Sequence, residues 1–397
     1  MYKCIFLVFV SLLFFTIGCQ ETDPVSVQTT TESPDLEESR LFHKHRAGKI
    51  SVLTRNVYVG TSTSGILSAT DIVEIIMQAT EAFELLNATN FPERAFSLAK
   101  EIKMTKPDLI GLQEISLVRL QTPSDFLENP IPNAETVLFD YLDILMQALA
   151  SYDLNYKVAG IVENFDVEVP LVVGLDDDDE PVYGDIRLTD YDVVLARKGV
   201  GIKNVVAQNY QVNLPLPDLG TEVFRGYVAV DAKVGRKKVR FVNTHLEAFT
   251  GDPELDVVIE QIQNAQAMEL VASLATEEKP IIMVGDFNSP ASYGTTYQYV
   301  LSEGFHDAWN TNLLTCNENG FTFGHDADLR NEFVDFYERI DFVFTRNPGE
   351  NLPLPTCVMV VGDEYRNRTP SGLWPSDHGG VAAKLKIPCY KGIFAQK

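Results

Sequence analysis

The sequence predicts a layered α/β domain, and three observations carry that prediction. Short, β-branched apolar runs alternate with amphipathic helical stretches from about Lys49 to Lys386. No internal repeat interrupts them, and no second linker divides them. Hydrophobic residues make up 45% of the 397-residue chain, enough to fill one large core.

Each element has its own warrant. Lys49–Val59 alternates apolar and polar residues and reads as a strand. Asp71-Ile-Val-Glu74 has capping-box spacing, and Ile72, Val73, Ile75, Ile76, Ala79, Phe83 and Leu86 follow at helical spacing. Pro92 suits a first helical turn, where its missing N–H has no partner to lose, so a second helix is expected to about Met104. Lys106-Pro107 stops it, and Asp108–Ile115 is a buried strand. A further helix is expected over about Thr136–Leu149, then strands near Tyr156–Glu163, Tyr191–Ala196, Phe224–Val234 and Val239–Glu247. Asp176–Glu180 reads as a solvated loop, because a calcium loop intersperses turn residues and closes on a carboxylate. Asp252-Pro253 supplies an N-cap and first-turn proline for a helix carrying Leu255, Val258, Ile259, Ile262, Leu270 and Leu274. Pro280–Gly285, Arg339–Thr345, Cys357–Val361 and Gly379–Ile387 complete the strands.

Ahead of the domain, residues 1–18 read as a signal peptide. Lys3 precedes an apolar run, Ile5–Ile17, that is shorter than the roughly 20 residues a membrane span needs. Thr16-Ile17-Gly18-Cys19 resembles a bacterial lipobox, with Thr16 where Leu is usual; an ordinary signal peptide with an incidental cysteine is the alternative. The expectation is an exported protein held to the cell-envelope membrane by a lipid on Cys19, or secreted if Cys19 is not modified. Residues 19–48, rich in Thr, Ser, Pro, Asp and Glu, form a disordered tether with His43 and His45 at its solvated end. The catalytic domain then spans 49–388 and a short tail 389–397. Cys316, Cys357 and Cys389 lack metal-ligand spacing; a Cys316–Cys357 disulfide is the preferred pairing in an exported protein.

The formal charge is −24. An acidic surface repels polyphosphate backbones, which argues against a general nucleic-acid binder unless a local basic cleft overrides it.

Chemistry is concentrated where apolar strands end. Asn56 closes Ser51–Asn56, Glu114 closes Asp108–Glu114, and His245 ends Phe241–His245. Asp286 and Asn288 follow Ile281–Gly285, Asp341 lies in Arg339–Phe344, and Asp377-His378 opens the last strand. Catalytic groups collect at such strand ends in layered α/β folds. Taken singly, each has a bland reading: a solvated strand end, turn chemistry, a satisfied core histidine, a cap. It is the whole constellation, in this order, that the bland readings explain poorly.

In this order the motifs resemble the endonuclease/exonuclease/phosphatase superfamily, which includes secreted deoxyribonucleases, abasic-site endonucleases, neutral sphingomyelinases and inositol-polyphosphate phosphatases. They stand here as Asn56, Leu112-Gln113-Glu114, Asn243-Thr244-His245-Leu246, Gly285-Asp286-Phe287-Asn288, Arg339-Ile340-Asp341 and Ser376-Asp377-His378. The resemblance implies a four-layer α/β/β/α sandwich, two packed mixed sheets flanked by helices. It implies Glu114, Asn56 and Asp377 around Mg²⁺, with Mn²⁺ or Ca²⁺ as alternatives. Asp286 would activate water with Asn288 assisting, His378 would contact the phosphate under the control of Asp341, and His245 would bind a phosphate oxygen. The expected activity is a phosphodiesterase acting on a small or lipid-like phosphoester. A secreted nuclease and a non-catalytic surface binder on the same fold are the alternatives. Two segments depart from the pattern, Thr61–Thr105 and about Asn164–Asp190. Glu163 is the candidate carboxylate for orienting a second histidine, and Arg197 the candidate substrate contact.

Overall fold

A computed structural model of the chain describes residues 48–216, 220–311, 319–347 and 353–387. The expected signal peptide and tether, Cys19, Cys316 and Cys389 lie outside the described residues. Two mixed sheets pack face to face. The first holds β1 (Lys49–Asn56), β2 (Leu109–Gln121), β3 (Thr136–Asp140), β4 (Tyr156–Leu175), β5 (Pro181–Arg197), β14 (Leu354–Val361) and β15 (Gly380–Lys386). Its order is β14-β15-β1-β2-β5-β4, with β3 paired to β2. The second holds β6 (Gly201–Asn209), β9 (Gly226–Val234), β10 (Lys237–His245), β11 (Ile281–Asp286), β12 (His306–Asp307) and β13 (Asp341–Arg346), in the order β12-β13-β11-β10-β9-β6. A small separate ladder joins β7 (Leu214–Leu216) and β8 (Thr221–Val223).

Strand alternation sorts the core into three apolar layers. Val52, Val194, Val230, Phe241, Val284 and Ala383 meet between the sheets. Their strand neighbours point outward: Leu53, Val193 and Ala382 pack under α3 (Phe91–Thr105) and α4 (Tyr141–Ser151). On the far face, Val242, Met283 and Phe342 pack under α5 (Pro253–Ser273) and α6 (Thr295–Ser302). The result is the expected α/β/β/α sandwich. Two further helices, α1 (Ser64–Ser68) and α2 (Ile72–Ala88), lie beside the outer half of the β4–β5 hairpin.

The helix ends follow local chemistry. Asp71 accepts from the Glu74 N–H at 2.9 Å and Asp252 from the Glu254 N–H at 2.8 Å, satisfying donors that a first turn leaves bare. One expectation is corrected. Thr136–Asp140 is a strand pairing with Leu117–Leu120, and the helix begins at Tyr141 with Asp140 as its cap, accepting from the Asp143 N–H at 2.9 Å. The departing stretch between Asn164 and Asp190 continues both strands of the hairpin, from Phe165↔Asp190 out to Leu175↔Pro181.

Polar contacts cross between the sheets, and one of them is buried at Asn243. Asn243 on β10 donates from Nδ2 to the main-chain carbonyls of Leu112 (3.0 Å) and Val193 (3.3 Å), and its Oδ1 accepts from Gln113 Nε2 at 2.6 Å. Gly111 makes room for it, since a Cβ there would lie 2.3 Å from Asn243 Oδ1. Gly111→Ala should therefore overpack the interface and cost about 1–3 kcal/mol. Asn243→Ala should cost about as much by leaving buried polar groups unpaired. In the Asn243→Ala background the penalty of Gly111→Ala should shrink, because its clashing partner is gone. Urea unfolding of both singles and the double measures this; wild-type midpoints in both singles would show that the contact is dispensable.

Candidate active site

The candidate residues converge because strand direction and register bring them to one edge. β10 and β11 are parallel with His245 opposite Asp286, and β11 and β13 are antiparallel with Asp286 opposite Asp341. Three functional side chains thus occupy one row across the second sheet. In the first sheet β1 and β2 are parallel, Asn56 sits opposite Gln113, and Asp377-His378 lead into β15 beside β1. A bulge in β2 between Leu112 and Ile115 gives Glu114 a left-handed backbone (φ 59°). A bulge of this kind re-aims a side chain, here toward the shared edge.

Asn56 is the junction between the sheets at this edge. Its Nδ2 donates to Glu114 Oε1 (2.9 Å) and to Asp286 Oδ2 (3.0 Å), while its Oδ1 accepts from the Tyr58 N–H at 2.9 Å. Glu114 Oε2 accepts from the Val59 N–H at 2.7 Å. Asn288 donates its N–H to Asp286 Oδ1 (2.9 Å) and its amide to the Leu246 carbonyl (3.0 Å), so the turn after β11 is clamped to the end of β10. His378 Nδ1 is 2.9 Å from Asp341 Oδ2, which leaves Nε2 facing Asp286 Oδ2 at 3.7 Å and Asp377 Oδ1 at 4.0 Å. His245 Nε2 lies 3.7 Å from the same Asp286 oxygen.

Burial and charge then set the proton affinities. Burial alone would lower the His378 pKa, but the carboxylates of Asp341, Asp286 and Asp377 outweigh it and push the imidazole up to about 10. Burial, reinforced by the charge of Asp341, raises Asp286 to about 7 against the opposing pull of His378. His245 goes the other way: burial holds it well below the ordinary histidine value, helped by Arg225 and His378. One imidazole is therefore cationic and the other neutral. Burial and the nearby Glu114 charge raise Asp377 to about 6.

Glu114 and Asp377 are carboxylates close enough for one to raise the proton affinity of the other, the situation a hard divalent cation such as Mg²⁺ relieves. Asn56, expected among the ligands, turns its Nδ2 to Glu114 and Asp286 and its Oδ1 to the Tyr58 N–H, so here it positions the carboxylates and offers the site no oxygen. Around them opens a cleft enclosing about 1600 Å³ of non-atom space, its mouth included.

Arg197 is not part of this cluster. Its neighbour Ala196 pairs with Leu109, at the start of β2, and Arg197 itself bonds Asp108 and the Lys106 carbonyl. Glu114 lies five residues further along β2, roughly 16 Å at strand rise. Glu163 is also displaced: it faces solvent, while Asn164 is buried. The carboxylate beside the second histidine is Asp192, whose Oδ1 lies 3.8 Å from His245 Nδ1. Both Asp192 oxygens are buried with no hydrogen-bond partner among the described residues. Asp190 stands nearby, within hydrogen-bond reach of Ser116 and Asn164. Arg225, absent from the sequence-level set, places Nη1 3.2 Å from His245 Nδ1 and bonds Glu247. Asp192 was visible as a lone carboxylate opening an apolar strand; Arg225 sits in the short connection between β8 and β9 with no pattern to mark it.

Beneath the cleft, two buried arginines bind the loops that carry these groups. Arg55 bonds Glu101 on α3, the Asn56 carbonyl (3.2 Å) and the His378 carbonyl. Arg94, also on α3, donates to the carbonyls of Val57 (2.6 Å), Tyr58 (3.0 Å), Thr89 (2.8 Å) and Pro375 (3.0 Å).

Solved structures share this fold at low identity. An endonuclease/exonuclease/phosphatase from Bacteroides vulgatus matches with a TM-score of 0.50 and 17% identity, covering 86% of this chain and 99% of its own. One from Beutenbergia cavernae gives 0.50 and 18%, covering 85% and 72%. A humanized D. rerio TDP2 gives 0.48 and 15%, covering 85% and 99%. No curated protein sequence matches the chain. The model of the Endonuclease/Exonuclease/phosphatase family, whose members are mostly hydrolases of phosphoesters, matches residues 56–378, from Asn56 to His378. The chain belongs to the endonuclease/exonuclease/phosphatase family.

Proposed function

We propose that the chain is an exported, Mg²⁺-dependent phosphodiesterase acting on a small or lipid-like phosphoester. The observation that carries this reading is the arrangement of His378, Asp341 and Asp286. A cationic imidazole, fixed by one carboxylate, faces a second carboxylate whose pKa lies near neutrality. Substrate choice rests on the cleft walls. Glu114, Asp190, Glu247, Asp286, Glu338 and Asp377 line it, with Arg225 as the one Lys or Arg lining it among the described residues. Such a wall repels a polynucleotide backbone and tolerates a single phosphodiester brought to the metal.

Glu114 and Asp377 would hold the ion, with Asn56 positioning Glu114, and the bound ion would supply charge neutralisation at the phosphoryl and leaving oxygens. The protein's own groups do the rest. Asn288 and Asn56 fix the Asp286 carboxylate from both of its oxygens, so that it can orient a water and accept its proton. The water oxygen bonds to phosphorus, the bond from phosphorus to the leaving oxygen breaks, the released alkoxide takes a proton from solvent water, and Asp286 returns its proton to solvent. His378, its Nδ1 committed to Asp341, donates from Nε2 to a phosphoryl oxygen as negative charge grows there. Neutral His245, set between Arg225 and Asp192, contacts another phosphoryl oxygen.

Chelation should abolish hydrolysis of a chromogenic phosphodiester, and Mg²⁺ or Mn²⁺ should restore it. Glu114→Gln keeps the shape but loses a charge, so the metal concentration for half-activity should rise sharply. An enzyme indifferent to both treatments refutes the ligand set. Asp341→Asn and His378→Ala should each lower turnover about a hundredfold or more, the scale of one positioned electrostatic donor. Because the two residues act as a unit, the double variant should lose far less than the product of the singles. Near-wild-type turnover in His378→Ala would remove the phosphate contact and favour a binding role for the fold. Cys19→Ser should move the protein from membrane to soluble fraction in a bacterial host; wild-type protein found soluble, with its N-terminus beyond Cys19, excludes the lipid anchor.

A further inference from the structure

The helical segment α1–α2 and the outer half of the β4–β5 hairpin pack on each other. Ile75 and Ala79 of α2 meet Val169 and Leu171 of β4 in an apolar cluster separate from the three sheet layers. Within this packing lies a cavity of about 580 Å³ of non-atom space, mouth included. Ile66, Ala82, Phe83, Leu86, Val118 and Val167 form its deeper wall.

The cavity adjoins the catalytic cleft, and the two share a wall. Val59, Thr61, Thr63, Leu67, Phe165 and Leu188 line both. Val59 ties them physically, because its N–H is the donor to Glu114 Oε2 at 2.7 Å. The polar side chains on the cavity wall are the two threonines, and the Thr61 hydroxyl is turned to the Ser62 carbonyl at 3.5 Å. A water molecule in such a space finds few partners, and a hydroxyl-rich group entering it would leave its own polar atoms unpaired. An apolar group loses nothing there and gains contact.

We propose that this cavity is a subsite for an apolar substituent of the phosphoester, an alkyl chain or aryl ring carried on the phosphate held at the catalytic edge. This deepens the phosphodiesterase reading above and rests on it for the position of the phosphate.

The test is calorimetric titration of the full-length, Mg²⁺-loaded protein with methyl, butyl and hexyl phosphate. The Kd should fall about three- to fourfold per added methylene until the cavity is full. The heat capacity of binding should become more negative along the series. Ala82→Phe fills the cavity from α2, and Leu67→Gln places an amide at the shared mouth. Both should flatten the series, with melting curves showing that each variant is folded. Equal Kd values from methyl to hexyl in wild type overturn the subsite. So does a steep series that survives in both folded variants, since the tail would then bind elsewhere. Hydrolysis of methyl p-nitrophenyl phosphate, followed in parallel, separates the two readings. Turnover with a flat series sinks the subsite alone, whereas a steep series without turnover supports the subsite and sinks the reaction.

Discussion

The active edge depends on how closely the two sheets approach, and that approach is set by the Asn243 amide. A sheet-on-sheet interface is ordinarily apolar, and a buried amide within it is costly unless all its valences are met. Here Asn243 meets them with two main-chain carbonyls and Gln113, across a gap kept narrow by Gly111. The contact fixes β10 against β2 and β5 one residue before Thr244 and two before His245. Glu114 follows Gln113 directly. A slide of one sheet over the other by a residue would carry their strand ends about 3.3 Å out of line. His245 and Glu114 would then no longer share an edge.

From that alignment the electrostatics follow. Asp286 lies where the rows of both sheets meet, bonded to Asn56 of the first and flanked by His245 and Asp341 of the second. Two histidines within 3.7 Å of one carboxylate oxygen acquire opposite protonation because their partners differ. His378 has Asp341 at hydrogen-bond distance, while His245 has Arg225 nearer than Asp192. Residues of one type thus take distinct chemical parts, set by environment alone.

Most of the fold and much of the candidate site could be read from the sequence, for a physical reason. A parallel strand buried on both faces reads as a continuous apolar run, so the polar residue that ends it stands out, as Asp286 does after Ile281–Gly285. Other parts carry no such contrast. β6 is an exposed edge strand without apolar alternation. The outer half of the β4–β5 hairpin is covered on one face by α2, so its alternation is only partial and it resembles an insertion. Arg225 sits in a short connection, and its nearness to His245 is a product of tertiary packing. Arg197 misled because a strand-end arginine looks alike at either end of a sheet; the register decides which end is catalytic. Glu163 misled because the side chain one position along, Asn164, is the one turned inward.

The paired arginines below the cleft have a consequence for how the protein is assembled. Glu114, Asp286, Asp341 and Asp377 crowd one edge, a concentration of like charge that opposes folding. Arg55 and Arg94 lie beneath them as permanent positive charge, and their N–H groups are occupied by Glu101 and main-chain carbonyls. They offset part of the repulsion, as the opposing effect of Arg94 on Asp377 illustrates, without reaching the cleft. With that charge built in, closing the fold around its carboxylates does not require an ion. On the metal-dependent reading proposed above, the ion would enter as an exchangeable visitor, in contrast to small metal-nucleated domains whose folding waits for it. The helix supplying Arg94 and Glu101, α3, belongs to the foundation of the site, although it lies in a stretch that the sequence pattern treats as an addition.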